Sequence, residues 1–419
     1  MIRLALPIYV ELLTAVVAVG VIDLLWVSGL GEAAIAAVTV GTTVEYLAYG
    51  LFLAVPTGVT VLVGRRDGRE PLGPVIRTGR LLWLGLSAAI AVPGVLLREP
   101  LAALFTDAPA LTAGFLLVSL GGLPVYFAQT VVDGILKGRG DTRSPMRHAL
   151  LCNGLVIVLD PVFIYGLDMG VQGAAVATVV ARAITLAIAL RSVTGLGGQE
   201  PPAGRRLVTG EVVRAGLPIS GDFLARALVG MALVEIVAGY GTAAVAGYGI
   251  GQKIMLAGVM AFYALRQAAM IRTARAEATG SPLLLGLGSG AAVAIVLNVV
   301  AAPVAGLFTG DPAVAVEFLR WMTLYLVPFG GLIAAGGVLQ ASGRGSRLLA
   351  ATLAGFAVQL PLAYVLSAWL GLTGVWLSMA AGAAVSLAGV TVRRAGGLEP
   401  ARGPAPRSTR TAEGPPSGR

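Results

Sequence analysis

Apolar runs of about 20 residues, long enough to cross the hydrocarbon of a bilayer as a helix, recur along the whole chain. They fall near 4–28, 33–62, 80–97, 115–136, 145–167, 170–191, 213–239, 242–268, 283–307, 315–340, 347–370 and 372–392. Backbone groups in lipid must be satisfied within their own segment, so runs of this length predict membrane helices. Twelve of them in 419 residues leave room for little else. The composition agrees: 57% of residues are hydrophobic, 12% are charged, and the mean hydropathy is +0.86. In a soluble chain a net charge of +9 would suggest nucleic acid, but here the Lys and Arg residues sit between apolar runs, where they set orientation. One cysteine, Cys152, and one histidine, His148, supply neither a disulfide framework nor a zinc cluster. The run from Leu4 to Leu30 is long and lacks a small-residue cleavage site, so it reads as a span that is retained.

The connections after even-numbered runs carry Arg65, Arg66, Arg69 and Arg77; Lys137, Arg139, Arg143 and Arg147; Arg191, Arg205, Arg206 and Arg214; Arg272 and Arg275; and Arg344 and Arg347. Those after odd-numbered runs carry Glu32, Asp107, Asp168 and Asp311, with Arg98 as their one basic residue. The positive-inside rule then places both termini in the cytoplasm of a multi-pass plasma-membrane protein. The chain also echoes itself at an offset of about 200 to 210 residues. Leu-Pro at 6–7 and LGEAAIAAVTVG at 30–41 answer Leu-Pro at 217–218 and YGTAAVAGYGIG at 240–251. GILKGRG (134–140) answers GVLQASG (337–343), and MGVQG (169–173) answers LGLTG (370–374). The expected fold is an all-α polytopic membrane protein of twelve transmembrane helices in two six-helix lobes related by a pseudo-two-fold axis. The N-lobe covers 1–192, a cytoplasmic linker 193–212 and the C-lobe 213–394. A Pro-, Gly- and Arg-rich tail at 395–419 is expected to be disordered. Parallel repeats of this kind place a solute path between the halves.

Chemistry concentrates in LCNGLVIVLDPVFIYGLDMGVQGAAVATVVAR, residues 151–182. Asp160 lies inside an apolar run, where a charge costs at least a few kcal/mol and is kept for a task. Pro161 removes a backbone donor beside it and loosens the helix there. If the two runs fold back about Asp168–Met169, Thr178 comes level with Asp160. Asp23, about seven residues from the turn at Leu30–Gly31, reaches a similar depth at a rise of about 1.5 Å per residue. Two carboxylates in one apolar lobe disfavour each other's ionisation, so they can take up a proton, a sodium ion or a cationic solute, but not all at once. Glu45 is a third acid for this lobe. Arg182, one turn beyond Thr178, demands a carboxylate partner, with Asp160 and Glu45 as the two choices. The second half carries Asp222, Arg226, Glu235, Lys253 and Arg266 within apolar sequence. Asp222 and Arg226, spaced i, i+4, are expected to pair. Glu11, Asp133 and Lys137 lie near cytoplasmic ends and read as solvated or paired surface residues, whereas Gln129, Asn153, Gln340 and Gln359 fit a cavity wall or polar contacts between helices. GRGDTRSP (138–145) contains the Gly-x-Gly-Asp of intramembrane aspartyl proteases, but Asp141 falls in a basic loop and no Tyr-Asp pair occurs. With no GxxxxGK[ST] loop, ATP is not the direct energy source.

WVSGLGEAAIAAV (26–38), VDGILKGRGDTRSP (132–145), LDPVFIYGLDMGVQGAAVAT (159–178) and AAVAGYGIGQKI (243–254) together resemble multidrug and toxic compound extrusion transporters, most closely the prokaryotic branch named for DNA-damage-inducible members. The resemblance spans nearly the whole chain up to the tail. It implies export of cationic, amphiphilic drugs in exchange for protons or sodium ions, with Asp23, Asp160 and Thr178 on functional positions and Pro7 at a position associated with bending of the first helix. Val19 and Val156 stand where relatives place a Tyr and an Asn, which leaves a drier N-lobe site with fewer oxygen ligands and favours protons over sodium. The expected function is therefore a secondary antiporter, not an enzyme. It needs no cofactor or firm metal site, binds no nucleic acid, and works as a monomer on drug-like solutes. A flippase for lipid-linked oligosaccharide is the alternative, and it would need Arg182, Arg226, Lys253 and Arg266 to face one shared cavity.

Overall fold

In the computed structural model, residues 1–106, 108–194, 207–307 and 311–391 are described. The tail expected at 395–419, residues 195–206 of the linker, and Asp107 lie outside the described residues. The first apolar run becomes α1 (Ile2–Leu12), a π-helical segment (Leu13–Ala18), α2 (Val19–Val27) and a short 3₁₀ turn (Ser28–Leu30). The second is α3 (Glu32–Phe52) followed directly by α4 (Ala54–Arg66), with a break at Leu53 beside Pro56. Then come α5 (Gly73–Leu96), a short α6 (Arg98–Phe105) where the pattern predicted only a loop, α7 (Pro109–Gly138), α8 (Arg143–Pro161) running into a π-helical segment (Val162–Gly166), and α9 (Gly170–Val193). The second half holds α10 (Thr209–Ala238), α11 (Thr242–Ala274), α12 (Pro282–Ala305), α13 (Ala313–Ala341), α14 (Gly345–Leu370) and α15 (Leu372–Thr391).

Ten helices among the described residues are long and apolar enough to cross a membrane. The two other expected spans fall on the interrupted first run and on α10, whose Glu211, Arg214, Asp222, Arg226 and Glu235 dilute its apolar character. The helices form two lobes, each with its own core. In the second half Trp376 stacks on Tyr248 at 5.4 Å and meets Phe318 edge-on at 4.9 Å. In the first half Phe52 and Phe127 stack face to face at 4.1 Å. Without a hydrophobic drive between helices in lipid, close backbone approach supplies the attraction. Gly286 and Gly290 of α12 accordingly lie against the backbone of α13 at Gly330 and Leu326, where a Cβ would overlap the facing carbonyls.

Lys and Arg collect in the last turns of α4, α7, α9 and α11, which defines a basic end of the molecule and complements the helix dipoles there. The lobes close on each other at this end. Gly216 of α10 sits so close to the Ala54 carbonyl of α4 that a Cβ would overlap it. Ile8 of α1 packs with Leu265, Ala268 and Ile271 of α11. Asp67, just past α4, takes Arg139 at 3.5 Å from the first half and Arg275 at 2.8 Å from the second, while Arg66 meets Glu211 at 3.0 Å. Towards the opposite end each lobe packs on itself. Val27, Val38, Phe115, Ile164 and Ala174 form one small core there, drawn from the first half alone. Among the described residues the ion pairs between the lobes gather at the basic end.

Candidate functional site

α2 packs against both α8 and α9, and these three helices bring the first-half polar residues together. The π-helical segment at Leu13–Ala18 shifts the register of the first span just before Asp23, an irregularity common at functional sites. α1 itself runs through Pro7 without interruption. Pro161 closes α8, and the chain continues as a π-helical segment before the turn, where Asp168 adopts φ 53° and Gly170 φ 55°. Gly173 then lets α9 pass against the Phe163 backbone. This is the hairpin the sequence suggested, with Asp160 at the irregular point.

The acids in this niche are unusually bare. Asp160 is fully buried, and neither of its carboxylate oxygens has a hydrogen-bond partner among the described residues. Asp23 is 5% exposed with Oδ1 unpartnered, and Thr178 is buried with an unpartnered Oγ1. An unpaired buried polar atom costs about 1–3 kcal/mol, so these bare acids stand out from the satisfied polar groups elsewhere in the lobe. Among the described residues no group of three or more His, Cys, Asp or Glu side chains could cage a metal ion.

Arg182 does not join that cluster. Its Nη1 lies 3.2 Å from Oε2 of Glu45, both side chains are about six-sevenths buried, and its guanidinium sits 4.4 Å over the Tyr126 ring. Glu45 is thereby committed to an ion pair in the wall of the niche, and Asp160 remains free of a cation. In the second lobe Asp222 holds Arg226 at 3.1 Å, as its spacing predicts, and also Arg266 at 3.3 Å. Arg226 reaches Thr352 Oγ1 at 3.3 Å and faces the rings of Phe329 and Phe356. Glu235 and Lys253 do not belong to this group; both are exposed and unpaired among the described residues. Of the four cations that would have to share one cavity in a flippase, three are held in ion pairs.

Glu11, Asp133 and Lys137 are paired, one of the two roles their positions suggested, but within the lobe and not on its surface. Asp133 and Glu11 are each 9% exposed, and they belong to a buried polar group at the basic end of the first lobe. Lys137 Nζ lies 2.6 Å from Glu11 Oε1. His148 Nδ1 lies 2.8 Å from Asp133 Oδ1, and the Gln129 amide donates to Asp133 Oδ2 at 3.0 Å. The signal was present in the spacing: Gln129, Asp133 and Lys137 recur every four residues and so share one face of α7. Asp141 ends the adjoining turn by accepting hydrogen bonds from the Arg143 and Ser144 amides, both at 3.0 Å, and from Ser144 Oγ at 2.6 Å. It caps α8 in the basic loop, as the start of a helix at this point requires.

Two helical lobes that meet at one end, one of them holding unpartnered acids among apolar helices, define a polytopic membrane protein built like a transporter. Comparison with known proteins narrows this class. The MatE family model matches residues 7–162 and again 218–365, so the chain belongs to the MatE family, whose members are transporters and not enzymes. The two matches fall one in each half and start at Pro7 and Pro218, which fits the internal repeat. The chain is 24% identical over 390 residues to the probable multidrug resistance protein YpnP of Bacillus subtilis, covering 85% of this chain and 86% of that one. It is 25% identical over 353 residues to the FAD transporter of Shewanella oneidensis, covering 78% and 77%. Its fold superposes on the outward-facing conformation of a multidrug resistance MATE family transporter with a TM-score of 0.83 at 24% identity, covering 94% of each chain.

Proposed function

We propose that this protein is a proton-coupled multidrug antiporter of the prokaryotic branch named for DNA-damage-inducible members, acting as a monomer in the plasma membrane. The block from Leu159 to Thr178 supports the branch. The basic loops support an orientation with the basic end in the cytoplasm. The observation that carries the coupling is Asp160: a fully buried carboxyl group with both oxygens unpartnered, beside Asp23 and free of Arg182. A carboxyl group in such a place is most stable neutral, and losing its proton leaves a charge that a cationic solute can neutralise. Outside protons reach Asp160 and Asp23 and displace the solute. Loss of those protons on the inside returns the niche to its solute-binding form. Competition for one charge is what makes the exchange obligatory.

A sodium ion at Asp23 and Asp160 is the alternative, but it needs several oxygen ligands, and the niche offers little beyond these two carboxylates and Thr178. The expected substrates are cationic, amphiphilic drug-like solutes. The test is efflux of the fluorescent cation ethidium from energised cells. A protonophore should stop it and a sodium ionophore should leave it unchanged; the reverse pattern would assign the coupling to sodium.

A further inference from the structure

The polar group at the basic end of the first lobe has no part in the niche, and its composition suits one task. His148 is the chain's one histidine, and it is only 7% exposed. Its Nδ1 is taken by Asp133 Oδ1 at 2.8 Å, and Gln129 fixes the other oxygen of that carboxylate. A carboxylate that holds one ring nitrogen leaves the other, Nε2, oriented to accept and release a proton. The Lys137–Glu11 pair beside it adds no net charge, so the group is neutral with His148 protonated and carries one negative charge without the proton. Further along α8, on the same face as each other though about 140° round the helix from His148, lie Asn153, buried with both of its side-chain polar atoms unpartnered, and Asp160 seven residues on. At about 1.5 Å per residue, the steps along the helix are roughly 7.5 Å from His148 to Asn153 and roughly 10.5 Å from Asn153 to Asp160. Buried polar atoms without protein partners are where bridging waters bind.

Resting on the proton-antiport reading above, we propose that His148, positioned by Asp133, is the proton-release station between Asp160 and the cytoplasm. The Asp160 carboxyl group gives up its proton, by way of water held at Asn153, to Nε2 of neutral His148. That step leaves an Asp160 carboxylate and a His148 imidazolium paired with Asp133. The imidazolium then loses the proton to water at the basic end, and the group returns to its starting charge. The surrounding groups allow this cycle. From α7 the histidine meets Gln129 and Asp133, from α1 Glu11 lies near it while pairing with Lys137, and Asp141 acts on it from the turn between α7 and α8. Tyr49 of α3 lies near both Glu11 and Asp133. Glu11 is also two residues before the π-helical segment of the first span, so the charge state of this group is felt at the irregularity that leads to Asp23.

The experiment uses the whole protein in liposomes, with ethidium transport driven by an imposed pH difference. The pH on the basic-end side is varied between about 5 and 8. In His148→Gln the transport rate should fall about tenfold or more, and its dependence on basic-end pH should flatten. Asp133→Asn should shift the same profile. In His148→Gly, millimolar imidazole should restore part of the rate, a recovery that a purely structural anchor would not show. Retained ethidium binding by each purified variant verifies its fold. A wild-type rate and pH profile in His148→Gln would overturn the proposal, and so would a loss in His148→Gly that imidazole leaves untouched. A wild-type protein that ignores the imposed pH difference would instead remove the antiport reading, and this station with it.

Discussion

Asp222 is the keystone of the second lobe, and removing its charge should cost more than removing any surface acid. Its Oδ1 meets Arg226 Nη2 at 3.1 Å, and its Oδ2 meets Arg226 Nε at 3.2 Å and Arg266 Nη1 at 3.3 Å. The Asp222 and Arg266 side chains are 3% and 4% exposed. Asp222→Asn would leave two cations with no acid between them. Breaking a buried pair by removing one partner costs about 3–5 kcal/mol. The two arginines do not share that cost equally. Arg226 keeps Thr352 and the faces of Phe329 and Phe356, a cation–π contribution of about 0.5–2 kcal/mol. Arg266 keeps nothing comparable, and its Nε is already unpartnered. Most of the loss therefore falls on Arg266, and Asp222→Asn combined with Arg266→Gln should recover about half of it or more. Urea unfolding in detergent micelles, followed by the fluorescence of the buried Trp376, measures both variants. A single variant within about 1 kcal/mol of wild type, or a double variant whose cost is the plain sum of the two, would refute the reasoning.

Gly216→Val should push α10 off the Ala54 carbonyl and open the basic end, which appears as faster labelling of a cysteine introduced at Ala341; unchanged labelling would show that the lobes do not close there. The turn between α7 and α8 should loosen only in acid. Burial pushes the Asp141 carboxyl up, but its hydrogen bonds from Ser144 and Arg143 outweigh that and hold it below the usual carboxylate range. A group whose folded-state value is depressed contributes stability above its unfolded value of about 3.9 and loses it as the pH falls through the folded value. Hydrogen exchange at the Ser144 amide should accordingly stay protected at neutral pH, lose protection only below that range, and lose it at every pH in Asp141→Ala.

Much of the architecture could be read from residue order alone, because membrane helices announce themselves by length and hydropathy, and loops by charge. The expected run at 170–191 lies within α9, and that at 242–268 within α11. What failed had local physical causes. The break at Leu53 and the π-helical segment at Leu13–Ala18 interrupt apolar sequence that continues unchanged, so hydropathy cannot see them. α6 is too short to span, and its exposed Leu104 and Phe105 resemble any apolar loop. The burial of Asp160 was legible because a charge in hydrocarbon is conspicuous. The choice of Arg182 between Asp160 and Glu45 was not, since it depends on how α9 packs on α3. The His148–Asp133 pair was missed for a related reason. Each residue lies a few residues inside its helix, at a depth where water and burial are equally plausible, and only the packing of α1 over α7 and α8 decides between them.

The central claim is that the buried carboxyl of Asp160 carries the coupling charge. The direct test is uphill ethidium transport by Asp160→Asn in liposomes with an imposed pH difference. The exchange keeps the shape of the side chain and removes its ability to ionise. The account predicts that the pH-driven accumulation disappears while the purified variant still folds and passes ethidium down its own gradient. Accumulation at the wild-type level in Asp160→Asn would contradict it.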